Sequence, residues 1–203
     1  FIWPFSWHLM DTGAVDVRAV APGTLVAKSD GNDDRSCSFD APDTPNYVVI
    51  QHGDGTIARY LHMKRSSVTS LQVGSTIAAG QVLGKVGSSG ISTGPHLHLE
   101  LRAANTPGAA VIEPHHGECN AIGSAWPSQR PYRETRINRL STPSEPPVEP
   151  TCPEPHDQPK FKNNFAPGDP IVFLAAYRDL GRGIVTDFRV LKPDGSEFSS
   201  WDF

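Results

Sequence analysis

The sequence predicts an all-β protein built from antiparallel sheets, and two observations lead to this fold class. Between residues 24 and 102, short apolar stretches are separated by glycines, which is typical of antiparallel strands joined by tight turns. No long stretch of this region repeats its apolar residues every 3.6 positions, as an amphipathic helix would.

The clearest local prediction is a hairpin around His52-Gly53-Asp54-Gly55. Its Asp-Gly pair suits a turn that needs positive φ. The two strands beside this turn belong to a set of strands expected in the region: Thr24–Lys28, Tyr47–Gln51, Thr56–Leu61, Gln81–Val86 and His96–Arg102.

Three parts are expected along the chain: a β-sheet domain over 1–113, a connecting segment over 114–159 and a β-rich module over 160–203. Residues 141–159 carry 7 of the 19 prolines, which predicts an extended, Pro-rich linker. Ile171–Tyr177, Thr186–Leu191 and the turn at 192–195 then predict a β-sandwich-like module. About 45 residues are too few for a complete sandwich, so these strands either form an incomplete one or complete another sheet.

Charge and hydropathy exclude two classes of partner. The chain has 18 Lys and Arg against 22 Asp and Glu, a net charge of -4, and no basic cluster that could neutralise phosphates. Nucleic acid is therefore not an expected partner. The longest apolar run, Ile171–Tyr177, is far shorter than the roughly 20 residues of a membrane-spanning helix, so no membrane span is expected. The chain starts at Phe1 without a signal segment, as a mature or trimmed chain would.

Cysteine usage leaves two alternatives open. Cys37, Cys119 and Cys152 do not have the spacing of a zinc knuckle, and one of them must stay unpaired if a disulfide forms. A bridge between Cys119 and Cys152 is the preferred pairing. The alternative is that all three are free or buried thiols, because sequence does not give Cα separations.

Two histidines near the end of the β region form the main candidate for a site. In a strand, His96 and His98 project from one face, about 7 Å apart, while Leu97 and Leu99 point into the core. Such a pair can serve one metal and one substrate. The alternative is a pair of polar residues on a solvated sheet face. Pro95 gives the strand a sharp start, and the Ser-rich loop before it can wall a cleft.

The stretch Ser92–Glu100, with Gly-Pro-His-Leu-His at its centre, resembles the signature strand of the lysostaphin-type peptidases, which include the LytM and LasA endopeptidases. Residues 73–87, Tyr60–Met63 and Val15–Ala27 resemble further elements of that family in the same order. The likeness covers roughly residues 3 to 104. It implies an antiparallel, lysostaphin/LytM-like zinc metallopeptidase domain over residues 1–113.

The resemblance also implies a zinc site. Carried over by position, Asp16 and His98 become zinc (Zn2+) ligands, and His62 and His96 become the catalytic pair. Many members place the first His four residues before the Asp, but that position is Thr12 here. His8 is then the expected third ligand, as in members with a longer separation, with Asp11 as the fallback. A site that has lost its metal is the remaining alternative.

Three protein ligands leave a fourth position for water, the pattern of a catalytic zinc. Tyr60 is a candidate for substrate or transition-state contact, and the competing interpretation is a packing tyrosine. The resemblance implies a secreted, monomeric zinc metalloendopeptidase that uses zinc-activated water to hydrolyse cross-link or stem peptides of bacterial peptidoglycan, outside the cell or in the periplasm. The alternative is an inactive member that binds the wall or regulates another wall hydrolase.

Overall fold

The computed structural model describes residues 15–34, 44–92, 95–146, 148, 160–179, 181 and 183–202. None of these residues is helical, and every pair of neighbouring strands runs antiparallel, so the predicted all-β class is confirmed. The described part of the chain has no helix with the length and apolarity to cross a membrane.

The described residues form twelve strands. In chain order they are β1 (Asp16–Arg18), β2 (Gly23–Ser29), β3 (Tyr47–Gln51), β4 (Ile57–Leu61), β5 (Thr76–Ile77), β6 (Val82–Lys85), β7 (His98–Arg102), β8 (Val111–Ile112), β9 (Arg136–Ser141), β10 (Leu174–Arg178), β11 (Asp187–Leu191) and β12 (Glu197–Asp202).

The central feature is a six-stranded sheet in the order β5-β2-β3-β4-β7-β8. The predicted hairpin joins β3 to β4: His52 N–H donates to the carbonyl of Thr56 at 2.8 Å, and Gly55 takes φ +89°. Strand β7 pairs with β4, and His98 lies opposite Leu61. The end of β4 is therefore next to the start of β7.

A second, two-stranded sheet of β1 and β6 contributes to the same core. Val17 of β1 and Leu83 of β6 are fully buried in one apolar cluster with Leu25, Ile50 and Tyr60 of the central sheet. Each such side chain contributes about 1.5–3 kcal/mol when it leaves water. This cluster fixes the strands whose ends carry the site.

The described C-terminal part contains two antiparallel strand pairs, β9–β10 and β11–β12. β9 lies inside the segment expected to connect the domains, yet it pairs with β10. Residues 141–144 also pair with residues 160–162, since Lys162 N–H donates to the carbonyl of Thr142 and Ser144 N–H to that of Lys160. The start of the predicted linker is thus held in place. β11 and β12 form a separate two-stranded sheet joined by the predicted turn, in which Lys192 N–H donates to the Ser196 carbonyl.

The preferred disulfide is not formed. Cys119 is exposed and carries a free thiol. Cys37 and Cys152 lie outside the described residues.

Candidate functional site

His62 directly follows β4 and leaves the strand's alternation, because its backbone takes φ +62°. Its carbonyl accepts from Gly87 N–H at 3.1 Å. The side chain is 8% exposed, and Nδ1 lies 2.7 Å from the carbonyl oxygen of Ser89. The ring is therefore held by a backbone group from the loop that precedes β7.

The Ser89 carbonyl determines which nitrogen of His62 is available for chemistry. A carbonyl oxygen can only accept, so Nδ1 carries the proton and, in the neutral ring, Nε2 keeps its lone pair. Burial is the main cause that lowers the pKa of His62 from its usual 6.5. At pH 7 the side chain is thus a neutral base.

Gly87, which bonds to the His62 carbonyl, also places His96 against His62. The N–H of His96 donates to the Gly87 carbonyl at 3.1 Å, and its ring centroid lies 4.6 Å from that of His62. Nδ1 of His96 is 3.5 Å from Oγ of Ser92, which is 3.0 Å from Oγ of Ser88. Two buried hydroxyls therefore stand behind His96.

His98 is the first residue of β7 and completes the cluster. Its ring centroid is 5.8 Å from that of His62. Burial is the largest cause that lowers its pKa, although the carboxylate of Glu100 acts in the opposite direction. A neutral imidazole at pH 7 is the form that binds a metal ion. The structure thus brings together His62, His96 and His98, and His98 fits a zinc ligand.

Asp16, the predicted carboxylate ligand, is paired with two cations. It lies in β1 opposite Lys85 of β6. Its Oδ1 accepts from Nζ of Lys85 and its Oδ2 from Nη2 of Arg18 at 2.6 Å, and the bond from Lys85 is the largest cause that lowers the pKa of this carboxyl. Both oxygens are paired with cations in this arrangement, and a zinc ion bound by Asp16 would replace at least one of these partners.

No described group of three or more His, Cys, Asp or Glu side chains has a geometry that could hold a metal ion. The other predicted ligands, His8 and Asp11, lie outside the described residues.

Tyr60 has a packing role. Its side chain is fully buried, and its hydroxyl oxygen accepts from Val20 N–H at 2.9 Å. Burial raises the pKa of Tyr60 to about 12. This burial favours the packing interpretation of Tyr60, and its contact with substrate stays a prediction.

A buried polar network behind His62 was missed by sequence reasoning. Fully buried Asn46 donates from its backbone N–H to Oγ of Ser89 at 2.9 Å and from Nδ2 to the carbonyl of Met63 at 3.1 Å. Oγ of Ser89 donates to the same Met63 carbonyl at 2.6 Å. This network fixes the loop whose carbonyl holds His62. Neither residue has a sequence pattern that distinguishes it from an ordinary loop residue.

A charged row on β7 was also missed. Nη1 of Arg59 donates to Oε1 of Glu100 at 2.9 Å, and Nε of Arg102 donates to the same oxygen at 2.6 Å. Nε2 of His98 lies 3.9 Å from the other carboxylate oxygen, Oε2. The two-residue spacing of 98, 100 and 102 on one strand is a signal that could have found this row.

Comparisons with known proteins give consistent results. The profile of peptidase family M23 matches residues 9–110. The chain is 44% identical over 66 residues to peptidoglycan DD-endopeptidase ShyA of Vibrio cholerae, an alignment covering 32% of this chain and 15% of that protein. It is 42% identical over 97 residues to DD-carboxypeptidase/endopeptidase Mpg of Neisseria meningitidis serogroup B, covering 47% of this chain and 22% of that protein.

Among solved structures, the catalytic domain of the antimicrobial peptidase lysostaphin from Staphylococcus simulans is 27% identical. It superposes with a TM-score of 0.39 over 49% of this chain and 67% of that one. The chain spans less than a quarter of the length of ShyA or Mpg.

Proposed function

The chain belongs to peptidase family M23, and we propose on that premise that it is a secreted zinc metalloendopeptidase that hydrolyses peptide bonds of bacterial peptidoglycan. The observation that carries the proposal is the cluster of His62, His96 and His98, with ring centroids 4.6 Å and 5.8 Å from that of His62. The similarity to ShyA, a peptidoglycan DD-endopeptidase, and to Mpg, a DD-carboxypeptidase/endopeptidase, supports a cross-link or stem peptide as the substrate.

We propose that His8, Asp16 and His98 hold the zinc ion, with Asp11 as the fallback for His8. The metal would replace the ion pairs that Asp16 makes with Lys85 and Arg18. A bound zinc ion supplies Lewis-acid polarisation of the scissile carbonyl and acidifies water. With two imidazoles and one carboxylate, the ligand set leaves one position open.

In this proposal, His62 acts as the general base. Its Nε2 has the lone pair, and Nδ1–H remains bonded to the Ser89 carbonyl when the ring takes up a proton. A carbonyl acceptor stabilises the imidazolium that forms. His96, adjacent to His62, stabilises the developing oxyanion or protonates the leaving amine.

The site of action follows from the substrate. Because peptidoglycan lies outside the cytoplasmic membrane, the protein acts extracellularly or in the periplasm, and a single chain supplies all the proposed residues, consistent with a monomer.

The test is digestion of purified peptidoglycan, with new amino groups and released fragments measured by mass spectrometry. We expect fragments from the native protein and from His116→Ala, which removes an exposed histidine outside the cluster. His96→Ala is expected to retain zinc and to release no fragments. If the native protein holds no zinc and releases nothing, the inactive wall-binding alternative replaces this proposal.

The ligand assignment has a separate test in metal analysis. His98→Ala, His8→Ala and Asp16→Asn are expected to lose zinc, whereas Asp11→Asn is expected to keep stoichiometric zinc. Loss of zinc in Asp11→Asn, with retention in His8→Ala, would make Asp11 the third ligand.

A further inference from the structure

We propose that Arg59 binds a free carboxylate of the substrate peptide close to the scissile bond, which makes the substrate class an acidic-ended peptide. The inference rests on the proposed peptidase function and adds a specificity residue to it.

Arg59 shares a sheet face with the metal-binding end of the cluster. In the antiparallel pair of β4 and β7, Arg59 lies opposite Glu100 and Leu61 lies opposite His98. Residues opposite each other project to the same face, and residues two apart on a strand do as well. The side chains of Arg59, Glu100 and His98 therefore form one continuous row.

The row carries more positive charge than Glu100 can balance. Oε1 of Glu100 accepts from both Arg59 and Arg102, so two guanidinium groups share one carboxylate. Arg102 also donates from Nη1 to the carbonyl of Ala109 at 3.1 Å. Arg102 alone would suffice to hold Glu100. The positive charge of Arg59 is therefore in excess of the negative charge in this row.

Arg59 is also accessible. Its side chain is 38% exposed, against 24% for Arg102 and 16% for Glu100. Within the described part of the chain, Arg59 donates one side-chain hydrogen bond, from Nη1 to Glu100. A guanidinium offers further N–H donors in a planar fork that matches a carboxylate. The accessible cation of the row is thus suited to bind an anionic group of a ligand.

The distance between Arg59 and the histidine cluster matches the spacing of neighbouring residues in an extended peptide. Glu100, opposite Arg59, is two residues from His98, or about 7 Å along the strand. An extended peptide with its scissile bond at the histidines would place a carboxylate one to two residues away at Arg59.

The test compares two fluorescently labelled peptides, acetyl-L-lysyl-D-alanyl-D-alanine and its C-terminal carboxamide. They differ only in the terminal carboxylate. Binding is measured by fluorescence anisotropy in the cold, and kcat/KM is measured by chromatography of products. The native protein is expected to prefer the acid about 10-fold or more, as for a charge-assisted pair.

Arg59→Gln is expected to reduce this preference to near unity while its affinity for the carboxamide stays the same. The fold is expected to persist because Arg102 still holds Glu100, and the melting temperature checks this. Arg59→Lys, which keeps the charge but loses the planar fork, is expected to show an intermediate preference. Arg189→Gln is the matched control, since Arg189 is likewise paired with a carboxylate, that of Asp187, on a strand surface.

An unchanged acid preference in Arg59→Gln or in Arg59→Lys, or none in the native protein, overturns the proposal. Its failure is distinguishable from failure of the peptidase function. If peptidoglycan is cleaved without an acid preference, only the carboxylate site is wrong. If nothing is cleaved but binding still shows an acid preference that depends on Arg59, the site stands and the peptidase function is wrong.

Discussion

The Nδ1 atom of His62 donates to the carbonyl oxygen of Ser89 at 2.7 Å, across a sequence separation of 27 residues. The loop that supplies this carbonyl is itself held by Asn46, whose N–H donates to Oγ of Ser89. The orientation of a predicted catalytic side chain thus depends on a buried polar network. The two nitrogens of His62 consequently have separate tasks, which substitution can separate.

His62→Asn is expected to remain folded and to lose activity. The Asn amide nitrogen can take the place of Nδ1 and keep the bond to the Ser89 carbonyl, but no atom replaces Nε2. Loss of a general base reduces turnover by about 10²–10⁴-fold. Peptidoglycan digestion and a melting curve measure the two effects. Activity within a few-fold of the native protein would show that His62 is not the base.

Acidification is expected to destabilise the native protein through His62. Its folded pKa lies below the unfolded value of 6.5, so the unfolded chain binds the proton more readily. The stability contribution is complete above pH 6.5 and is lost as the pH falls through the folded pKa. Urea unfolding between pH 7.5 and 5 should show a smaller loss for His62→Asn. Parallel curves for the two proteins would contradict this assignment.

Tyr60→Phe separates the packing role of Tyr60 from its hydrogen bond. The variant leaves the Val20 N–H without its acceptor, which costs about 1–3 kcal/mol at pH 7. The stability of the native protein also depends on pH through Tyr60, because the folded pKa of this side chain, about 12, exceeds the ordinary 10.0. That contribution is complete below pH 10 and is lost as the pH rises through 12.

At pH 11 the native protein should have lost about 1.4 kcal/mol of this contribution, and Tyr60→Phe none of it. Urea unfolding of both proteins at pH 9 and 11 measures the difference. If the variant loses as much stability between pH 9 and 11 as the native protein, the raised pKa of Tyr60 does not contribute to stability.

Gly87→Ala is expected to damage the fold and the site together. An added Cβ would lie 2.4 Å from the backbone N and Cα of Lys64, so one of the two segments must move. Overpacking of this kind costs about 1–3 kcal/mol or more, and the movement would displace His62 and His96. Gly53→Ala is the control, since a Cβ there meets nothing within 4 Å. Equal melting temperatures of the two variants would refute the close packing at Gly87.

Local signals in the sequence predicted much of the fold. The β3–β4 hairpin was expected because its Asp-Gly turn is encoded in adjacent residues, and β3 has the predicted bounds Tyr47–Gln51. β1 and β9 were missed, because β1 is short and both depend on partners far along the chain, β6 and β10. The family resemblance, carried by the His-Leu-His motif, is confirmed.

The candidate site could be predicted only where a motif names its residues. His62, His96 and His98 come together as expected. The φ of +62° at His62, which takes it out of the alternation of β4, has no signal in the local sequence. Asp16 matched a pattern by position, yet its ion pair with Lys85 depends on a strand 66 residues or more further along, which no local signal reports. Arg59 was overlooked because its partner Glu100 lies on another strand.

The two backbone bonds of Gly87, one to His62 and one to His96, also determine when the site can exist. Both histidines depend on strands that pair across long loops, and such pairs form late because loop closure must precede them. A chain that has not yet emerged from the ribosome beyond β7 holds only scattered imidazoles. The histidine cluster is therefore complete only when the domain is complete, and the proposed hydrolysis depends on that completion.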